Sequence, residues 1–408
     1  MKVLLIAPNA SRRLGGEAIK AFQYFEWLLD NGHDALLLTH DRNEAELRAR
    51  FDDARLIFIR DDVLFRAMWK SRVLRWGIHS LFHLRVRREI RRHDPDGVVL
   101  HYLCPISPVE PRFPPRGYRV VIGPLSGNIT YPRAFRHRLP PNRWLKLGLY
   151  HAVQTILSPA LGDRRRADRL LVSGGVRTVE ALRWIGCRED QMHHVVDSGL
   201  RSDLADEPRA IHHGVSGEFV SLGRLIDLKG VDLSIRAVAR TPPGIRLTVF
   251  GEGPVKPALI ALAERLGVAD RVIFAGWLSH AEMPARLRQF RGLIFPSLAE
   301  ANGIVAQEAM LLGVPFVALR WGGPADLAND SAAILVEPTS EESVVAGLAA
   351  AMQDLAANPD RAEAIARAAR RIAEERFLWS AVGASWSAHY AQLAAASVAR
   401  ARDADRRA

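Results

Sequence analysis

The stretch Glu300-Ala-Asn-Gly-Ile-Val-Ala-Gln-Glu308 lies at a predicted junction between a strand and a helix. Before it, Gly292-Leu-Ile-Phe-Pro296 is a short apolar run that is typical of a buried parallel strand. After it, the apolar spacing of residues 305–312 predicts a helix that ends at Gly313, with Pro315 just beyond. Parallel sheets bind ligands at the carboxyl ends of their strands, so this junction indicates both the fold class and the place of a site.

The same stretch carries groups that suit a phosphorylated sugar. Gly303 stands near the amino end of the predicted helix, where unpaired backbone N–H groups attract phosphate. The carboxylates of Glu300 and Glu308 flank it and can accept hydrogen bonds from sugar hydroxyls. Two acids at this spacing on an arbitrary helix are more often solvated surface charge. The neighbouring motifs favour the ligand-binding interpretation.

Further motifs stand in a fixed order around this junction. They are Ser221-Leu-Gly-Arg-Leu-Ile-Asp-Leu-Lys-Gly230, Phe250-Gly-Glu-Gly-Pro254, Phe274-Ala-Gly-Trp277 and Gly322-Gly323. With the glutamate pair, this set resembles the retaining glycosyltransferases of family four, which transfer a sugar from a nucleotide-sugar donor. The resemblance covers most of the chain and is strongest from Phe219 to Pro324. It implies an α/β fold of the GT-B type, with two Rossmann-like, doubly wound parallel-sheet domains facing a central cleft.

The resemblance assigns the donor phosphates to the segment after a predicted strand, Glu218-Phe-Val-Ser-Leu222. Gly223 turns the chain at the carboxyl end of this strand, Arg224 can grip a diphosphate in a fork, and Lys229 adds a point charge. A lone arginine or lysine would be interpreted as a surface cation, but these flank glycines at a strand end. Both would then be catalytic, because they stabilise the negative charge that develops on the leaving diphosphate.

The glutamate junction supplies the other donor contacts that the resemblance implies. Glu308 would bind the ribose, and Glu300, as a catalytic residue, the hydroxyls of the donor sugar. Gly303, Ile304 and Val305 would offer backbone N–H groups to that sugar or to the diphosphate.

Three other residues of these motifs leave alternatives open. Gly251 and Gly253 either form a turn or let the backbone approach the nucleotide. Trp277 either stacks on the base or is a half-buried core tryptophan. Asn302 occupies a position that is often aromatic in the resembling family, which bears on the identity of the donor sugar.

The amino-terminal half begins with a predicted strand, Met1-Lys-Val-Leu-Leu-Ile-Ala7, which is too short and too quickly interrupted for a secretory signal. Gly15 and Gly16 precede an amphipathic helix over residues 18–29. By the resemblance, this glycine pair binds the donor phosphates, although such a pair alone is usually a turn. The chain has no Gly-x-Gly-x-x-Gly motif at this loop, which argues against a dinucleotide-dependent dehydrogenase.

The acceptor side of the predicted cleft is assigned to strand ends of the amino-terminal half. His101 ends the predicted strand over 96–101, and it either lies near the reacting sugar as a catalytic residue or is structural. Ser126 and Asn128 follow a predicted strand over 118–122, so these groups should open at the same sheet edge. The candidate acceptor contacts are Ser126, Asn128, Tyr131 and Arg133.

The length of 408 residues predicts two domains. The predicted amino-terminal domain spans 1–198, a polar, turn-rich linker spans 199–215, and the nucleotide-sugar-binding domain spans 216–376. A helix over 377–396 would return to the first domain, and 397–408 would form a frayed tail. The only two cysteines, Cys104 and Cys187, favour a reducing cytosol and lack the spacing of a metal site. We expect no metal and no tightly bound cofactor; the nucleoside-diphosphate sugar would be a substrate.

The net charge of +11 is unevenly distributed. From Val63 to Arg92 the only acid is Glu89, while aromatic and basic residues recur at helical spacing. This pattern favours docking on an anionic membrane surface, with a cytoplasmic protein at the inner face of the cell membrane. The alternative is a core-packed helix with a solvated cationic face.

The sequence does not specify the acceptor or the nucleotide base. A lipid-linked glycan or a polysaccharide intermediate is the preferred acceptor, and a small metabolite is the competitor. A nucleotide-sugar epimerase with the same fold would use no acceptor. A nucleic-acid-binding protein would explain the charge, but no recognition module is found, so this class is disfavoured.

Overall fold

The structure is a computed structural model that describes residues 1–71, 74–108, 110–127, 130–139, 162–212 and 217–405. For residues 75, 76 and 396–405 only the backbone is described. The described residues form two compact units. The first falls within 1–128, 145–199 and 379–408, and the second within 129–144 and 200–378.

The first unit is built on a parallel sheet. Its strands are β1 (Lys2–Ile6), β2 (Ala35–His40), β3 (Leu56–Ile59), β4 (Val98–Tyr102), β5 (Arg119–Leu125), β6 (Arg169–Val172) and β7 (Met192–His194). Their order is β3-β2-β1-β4-β5-β6-β7, and it reverses between β1 and β4. Val3 of β1 pairs with Ala35 on one side and with Val99 on the other. The strands are apolar runs because helices cover both faces of the sheet.

Helices connect these strands on the two faces. They are α1 (Gly16–Asp30), α2 (Glu44–Arg48), α3 (Val63–Lys70), α4 (Ile78–Ile90), α5 (Gly162–Arg165) and α6 (Val176–Trp184). The α1 helix buries Phe22 and Phe25 against the sheet. The α3 helix starts where the Asp62 carboxylate accepts a hydrogen bond from Phe65 N at 3.2 Å, a common amino-terminal cap.

The second unit repeats this plan. Its strands are β8 (Glu218–Leu222), β9 (Arg246–Phe250), β10 (Val272–Gly276), β11 (Gly292–Phe295), β12 (Phe316–Leu319) and β13 (Ile334–Val336). Its helices are α7 (Val231–Val238), α8 (Lys256–Arg265), α9 (Met283–Leu287), α10 (Ile304–Leu311), α11 (Gly323–Leu327), α12 (Glu341–Ala357) and α13 (Pro359–Arg376). The parallel order β10-β9-β8-β11-β12-β13 reverses between β8 and β11, as in Rossmann folds. The predicted fold class, two Rossmann-like α/β domains, is confirmed.

The long helix α14 (Trp379–Asp405) closes the chain and belongs to the first unit. Its Tyr390 hydroxyl lies 2.8 Å from the Tyr24 hydroxyl of α1, and Trp386 Nε1 donates to Val196 O at 3.2 Å. The helix continues to Asp405, past residue 397 where the sequence predicted a frayed tail. No helix in the described part of the chain is long and apolar enough to cross a membrane.

Residues 130–139 group with the second unit, whereas the sequence placed them in the first domain. Tyr131 and Phe135 are the reason, because both are buried in the hydrophobic core of the second unit. Part of the predicted linker is also attached to this unit. His212 Nε2 donates to Gly313 O at 2.9 Å, and Ala210 N donates to Leu312 O at 2.8 Å.

Candidate functional site

The reversal of strand order in the second unit brings the loops after β8 and β11 together. The first loop runs over residues 223–230 and the second over 296–303. Gly230 has φ +65, and a Cβ at this position would lie 2.4 Å from the carbonyl oxygen of Pro296. Position 230 therefore requires glycine, both for its left-handed backbone and for the close approach of the loops.

Lys229 and Glu300 meet where these loops touch. Lys229 Nζ donates a hydrogen bond to Glu300 Oε2, and both side chains keep some solvent access, at 23% and 19%. The same ammonium lies 5.2 Å from the ring centroid of Phe295, within the range of a cation–π contact. A cation and an acid held side by side at a strand edge can bind a phosphate and a sugar hydroxyl on neighbouring atoms of one ligand.

Two helices of equal length begin beside this ion pair. Gly230 precedes α7 and Gly303 precedes α10, each in the left-handed region, with φ +65 and +72. In the part of the chain that the structure describes, the backbone N–H groups of Ile304 and Val305 donate to no protein acceptor. These free donors and the positive ends of the helix dipoles favour an anion at this point.

Arg224 extends the cationic character of the site. Its side chain is exposed at the start of the loop after β8, and it has no ion-pair partner among the described residues. The neighbouring Gly223 has φ +145, and a Cβ there would contact Lys229 Cε at 3.9 Å. The two cations therefore share one short loop, and Arg224 is available to an external anion.

Glu308 lies on α10 and is partly buried. Within the described ranges its carboxylate has neither a hydrogen-bond donor nor an ion-pair partner. Burial raises the pKa of Glu308 to about 7, although Arg201 acts in the opposite direction. A carboxylate with an unfilled acceptor capacity and a raised pKa is more common in a ligand site than in a purely structural role.

Gly251 and Gly253 have a structural reason to be glycine, which favours the turn interpretation. A Cβ at Gly251 would lie 1.9 Å from Gly223 O, and one at Gly253 would lie 2.1 Å from Leu225 O. Hydrogen bonds from Gly223 N to Phe250 O at 3.1 Å and from Leu225 N to Glu252 O at 2.9 Å hold these loops together. The loop with Arg224 and Lys229 is therefore positioned by the loop after β9.

Trp277 follows β10 at the same edge of the sheet and is 73% exposed. The interpretation as a half-buried core tryptophan is therefore wrong, and the indole is free to stack on a planar ligand.

Sequence reasoning missed three contacts that shape the Glu300 loop. Gly323 N donates to Glu300 O at 2.9 Å, and a Cβ at Gly322 would lie 2.7 Å from the same oxygen. Gln307 is fully buried, and its Nε2 donates to Asn302 Oδ1 at 2.9 Å. The Gly322-Gly323 pair was visible as a motif, but only the fold shows that it supports Glu300.

Gly15 and Gly16 stand at the amino end of α1, at the end of the loop that follows β1 in the first unit. Both are exposed, and a Cβ at either would meet nothing within 4 Å. The packing of the described residues thus does not require glycine there, and the space around the pair is open to a ligand.

For His101, the structure favours the structural interpretation over the catalytic one. Its ring is fully buried in the first unit; Nε2 donates to Gly123 O at 2.7 Å, and Nδ1 accepts from the Tyr390 hydroxyl. Both nitrogens are therefore used, and burial lowers the pKa of His101 to about 4. The two hydrogen bonds occupy both ring nitrogens, so the imidazole links β5 to α14 and has a structural role.

The candidate acceptor contacts differ in how exposed their side chains are. Ser126 is buried at 5% exposure, and Tyr131 is buried in the core of the second unit, so neither side chain is available to an acceptor. Arg133 is exposed on a short 3₁₀ helix, Arg133–Arg138. Asn128 lies outside the described residues.

Among the described residues, no group of three or more His, Cys, Asp or Glu side chains could hold a metal ion. Cys104 and Cys187 are free and buried, and burial raises the pKa of the Cys187 thiol to about 11.

Residues 212–372 match the family model described as glycosyl transferases group 1. The glycogen synthase of Mycobacterium tuberculosis (strain H37Rv) is 34% identical over 202 residues, which are 48% of this chain and 47% of that protein. The GDP-mannose-dependent alpha-(1-6)-phosphatidylinositol monomannoside mannosyltransferase of Mycolicibacterium smegmatis is 34% identical over 40% of this chain and 45% of its own length. The chain thus spans about half the length of these curated relatives.

Another relative aligns over a longer range. The alpha-D-kanosaminyltransferase of Streptomyces kanamyceticus is 24% identical over 80% of this chain and 83% of its own length. Among solved structures, Anabaena HepE in complex with UDP aligns with a TM-score of 0.66 at 16% identity, over 96% of this chain and 100% of its own. WaaG, a glycosyltransferase involved in lipopolysaccharide biosynthesis, aligns at 0.62 and 18% identity, over 94% and 98%. These two structures share the fold.

Proposed function

We propose that this chain, whose residues 212–372 match the family model described as glycosyl transferases group 1, moves a sugar from a nucleotide-sugar donor to an acceptor hydroxyl with retention at the anomeric carbon. The observation that carries the proposal is the junction of the loops after β8 and β11. Lys229, Glu300 and the amino ends of α7 and α10 converge there. A donor offers a diphosphate and sugar hydroxyls side by side, which is the chemistry that this arrangement suits.

The diphosphate would bind to the cationic part of the junction. Arg224 is exposed and can form two parallel hydrogen bonds to phosphate oxygens, and Lys229 adds a point charge. The N–H groups of Ile304 and Val305 complete the anion site. Gly15 and Gly16, with open space around them, are also proposed as contacts to the donor phosphates.

The sugar and the nucleoside would bind to carboxylates. Glu300 would accept hydrogen bonds from donor-sugar hydroxyls, and Glu308 from the ribose. Exposed Trp277 would stack on the base. HepE was solved in complex with UDP and glucose, which supports a nucleoside-diphosphate sugar as the donor of this chain.

In the proposed reaction, the bond between the anomeric carbon and the diphosphate oxygen breaks, and the acceptor oxygen bonds to that carbon on the same face. The acceptor proton moves to an oxygen of the leaving diphosphate, so no enzyme nucleophile is needed. Arg224, Lys229 and the helix N–H groups stabilise the charge that develops on this leaving group. Preorganised donors of this kind typically contribute about 10²–10³-fold each in rate.

For the acceptor, we propose a lipid-linked glycan or polysaccharide intermediate at an anionic membrane. The α3 helix presents Val63 at 76% and Trp69 at 59% exposure, while Phe65 is buried and fixes the helix to the core. Exposed Arg66 and Lys70 lie among these apolar groups, which is the composition of a surface-docking helix. The mannosyltransferase relative is named for a phosphatidylinositol monomannoside, which supports a lipid-linked acceptor.

The experiment is calorimetric titration of the purified chain with UDP, GDP, dTDP and ADP and with their sugar conjugates. One base should bind selectively, and Glu308→Gln should weaken that binding. The matching nucleotide sugar should then be turned over with an acceptor, and proton NMR of the product should show the anomeric configuration of the donor. Absence of binding by all four bases overturns the proposal. Isomerised donor without an acceptor would indicate an epimerase, and an inverted product would exclude retention.

A further inference from the structure

The second unit contains one short segment from the other half of the chain, residues 130–139, which is called the strap below. Phe135 is fully buried and Tyr131 is 5% exposed, and both lie in one hydrophobic core with Leu225 and Leu298. Leu225 belongs to the loop that carries Lys229, and Leu298 to the loop that carries Glu300. The strap and both loops of the donor site therefore contribute side chains to one hydrophobic core.

Polar contacts fix the strap to the helix that follows Lys229. Arg138 Nη1 donates to Asp232 Oδ1 at 3.1 Å, and Nη2 lies 2.9 Å from Asp232 Oδ2. Asp232 stands in the first turn of α7, two residues after Gly230. The guanidinium therefore forms a two-point clamp on the helix end that we assign to the diphosphate.

The same arginine reaches a second helix. Arg138 Nε donates to Glu341 Oε1, and His137 Nε2 lies 2.8 Å from that oxygen. The Arg138, Asp232 and Glu341 side chains are between 17% and 27% exposed, so this network is partly shielded from water. The Arg138 hydrogen bond is the largest cause that lowers the pKa of Glu341, to about 2, so the carboxylate is charged at physiological pH.

A separate contact connects the strap to the Glu300 loop. Trp321 Nε1 donates to Thr130 O at 2.8 Å. Trp321 is followed by Gly322 and Gly323, whose backbones abut the carbonyl of Glu300, and Gly323 N donates to that oxygen at 2.9 Å. A continuous path of hydrogen bonds and close backbone contacts therefore runs from Thr130 to Glu300.

We infer that the strap is a positioning element of the donor site, with Arg138 acting on Lys229 through α7 and Trp321 acting on Glu300 through its loop. The inference rests on the proposed function and adds Arg138 and Trp321 as positioning residues. Neither touches the donor. Small displacements matter here, because a misplacement of about 1 Å at a reacting group can cost on the order of 10²-fold in rate.

The experiment compares two strap variants with a matched control. Arg138→Gln removes the clamp on α7, and Trp321→Phe removes the N–H donor but keeps an aromatic ring. Arg240→Gln is the control, since Arg240 forms a two-point ion pair with Glu342 at 2.6 and 2.7 Å, on the helix that carries Glu341. It breaks an ion pair to the same helix α12 without touching the strap.

The variants should differ in which step they impair. Arg138→Gln should weaken binding of the free nucleoside diphosphate and lower kcat/KM for the nucleotide sugar, each on the order of tenfold. Trp321→Phe should lower kcat/KM by a similar factor but leave the affinity for the free diphosphate unchanged, because the proposed donor contact of Glu300 is to the sugar and not to the diphosphate. Arg138→Lys, which can pair with one carboxylate, should recover part of the loss. Melting temperatures identify any variant that is merely unfolded.

The strap inference is overturned if both variants match Arg240→Gln in diphosphate affinity and in kcat/KM while wild type is active. A wild type that binds no nucleoside diphosphate overturns the proposed function, and the strap inference with it. The two failures are therefore distinguishable in one series of titrations and rate measurements.

Discussion

Lys229 and Glu300, which are 71 positions apart in sequence, form an ion pair at the reversal point of the second sheet. The pair holds a cation and a carboxylate side by side, as the proposed contacts to phosphate and to sugar hydroxyls require. Preorganisation of this kind lowers the cost of arranging charges around a donor.

Glu300→Gln should lower kcat about 10²–10³-fold. The neutral amide would accept weaker hydrogen bonds from the sugar hydroxyls than the carboxylate does, and Lys229 would lose its ion-pair partner. The affinity for free nucleoside diphosphate should change little. Steady-state rates and calorimetric titration measure the two effects. Glu252→Gln is the control, since Glu252 pairs with Lys256 at 2.7 Å on the surface of the same unit. Equal rates in the two variants would exclude Glu300 from the site.

Arg224→Ala should also lower kcat about 10²–10³-fold, because the leaving diphosphate loses its forked donor. The side chain is exposed and unpaired within the described residues, so the melting temperature should stay at the wild-type value. Arg246→Ala is the control, because Arg246 is also exposed but begins strand β9, at the end of that strand opposite to the candidate site. An Arg224→Ala enzyme with wild-type turnover would contradict the assignment.

Glu308 should make both donor binding and stability depend on pH. Burial raises its pKa to about 7 from the ordinary value of 4.5, so the folded state binds more protons than the unfolded state between these values. The carboxyl group's stabilising contribution is therefore complete below about pH 4.5 and is lost as pH rises through 7. The shift corresponds to about 3 kcal/mol.

Glu308→Gln should consequently be more stable than wild type at pH 8, by up to about 3 kcal/mol, and the difference should vanish near pH 4.5. Donor affinity of wild type should rise as pH increases through 7, because the ionised carboxylate is the better acceptor for ribose hydroxyls. Urea unfolding at several pH values measures the first effect and titration with nucleotide the second. A wild-type affinity that is flat from pH 6 to 8 would contradict the role.

His101 should affect stability rather than chemistry. Burial lowers its pKa to about 4, so the unfolded state takes up the proton first as pH falls. The stabilising contribution of the neutral ring is present above about pH 6.5 and is lost as pH falls towards 4. The unfolding free energy of His101→Gln should lack this dependence on acid pH. At pH 8 it should be about 1–3 kcal/mol lower than that of wild type, because the hydrogen bonds to Tyr390 and Gly123 are broken or distorted. A large loss of kcat in fully folded His101→Gln would restore it as a catalytic candidate.

The exposed face of α3 should bind anionic vesicles. Trp69→Ser should weaken co-sedimentation with vesicles of phosphatidylglycerol and phosphatidylcholine at physiological salt, because it removes the largest exposed apolar group of that helix. Trp184→Ser is the control, as Trp184 is 63% exposed at the end of α6. Wild-type protein that stays in solution with such vesicles would contradict membrane docking.

Short-range patterns were enough to predict much of the donor half. Strand, loop and helix were predicted correctly from the apolar run over 292–295, the glycines at 223, 230 and 303, and the capping residues around them. The structure brings the loops that carry these glycines together. This works because parallel strands with βα connections place successive strand ends at one edge of a sheet. The ordered glycines then mark where backbones must approach each other.

The sequence by itself determined the fold class and the junction that carries Glu300, because strand periodicity and turn chemistry are local properties of the chain. Only the tertiary structure decided the surroundings of individual side chains. His101 is buried and hydrogen-bonded to β5 and α14, Tyr131 is buried in the second unit, and Lys229 is paired with Glu300. Burial and pairing depend on residues that are 71 positions apart for Lys229 and Glu300 and 289 positions apart for His101 and Tyr390, which no local pattern specifies.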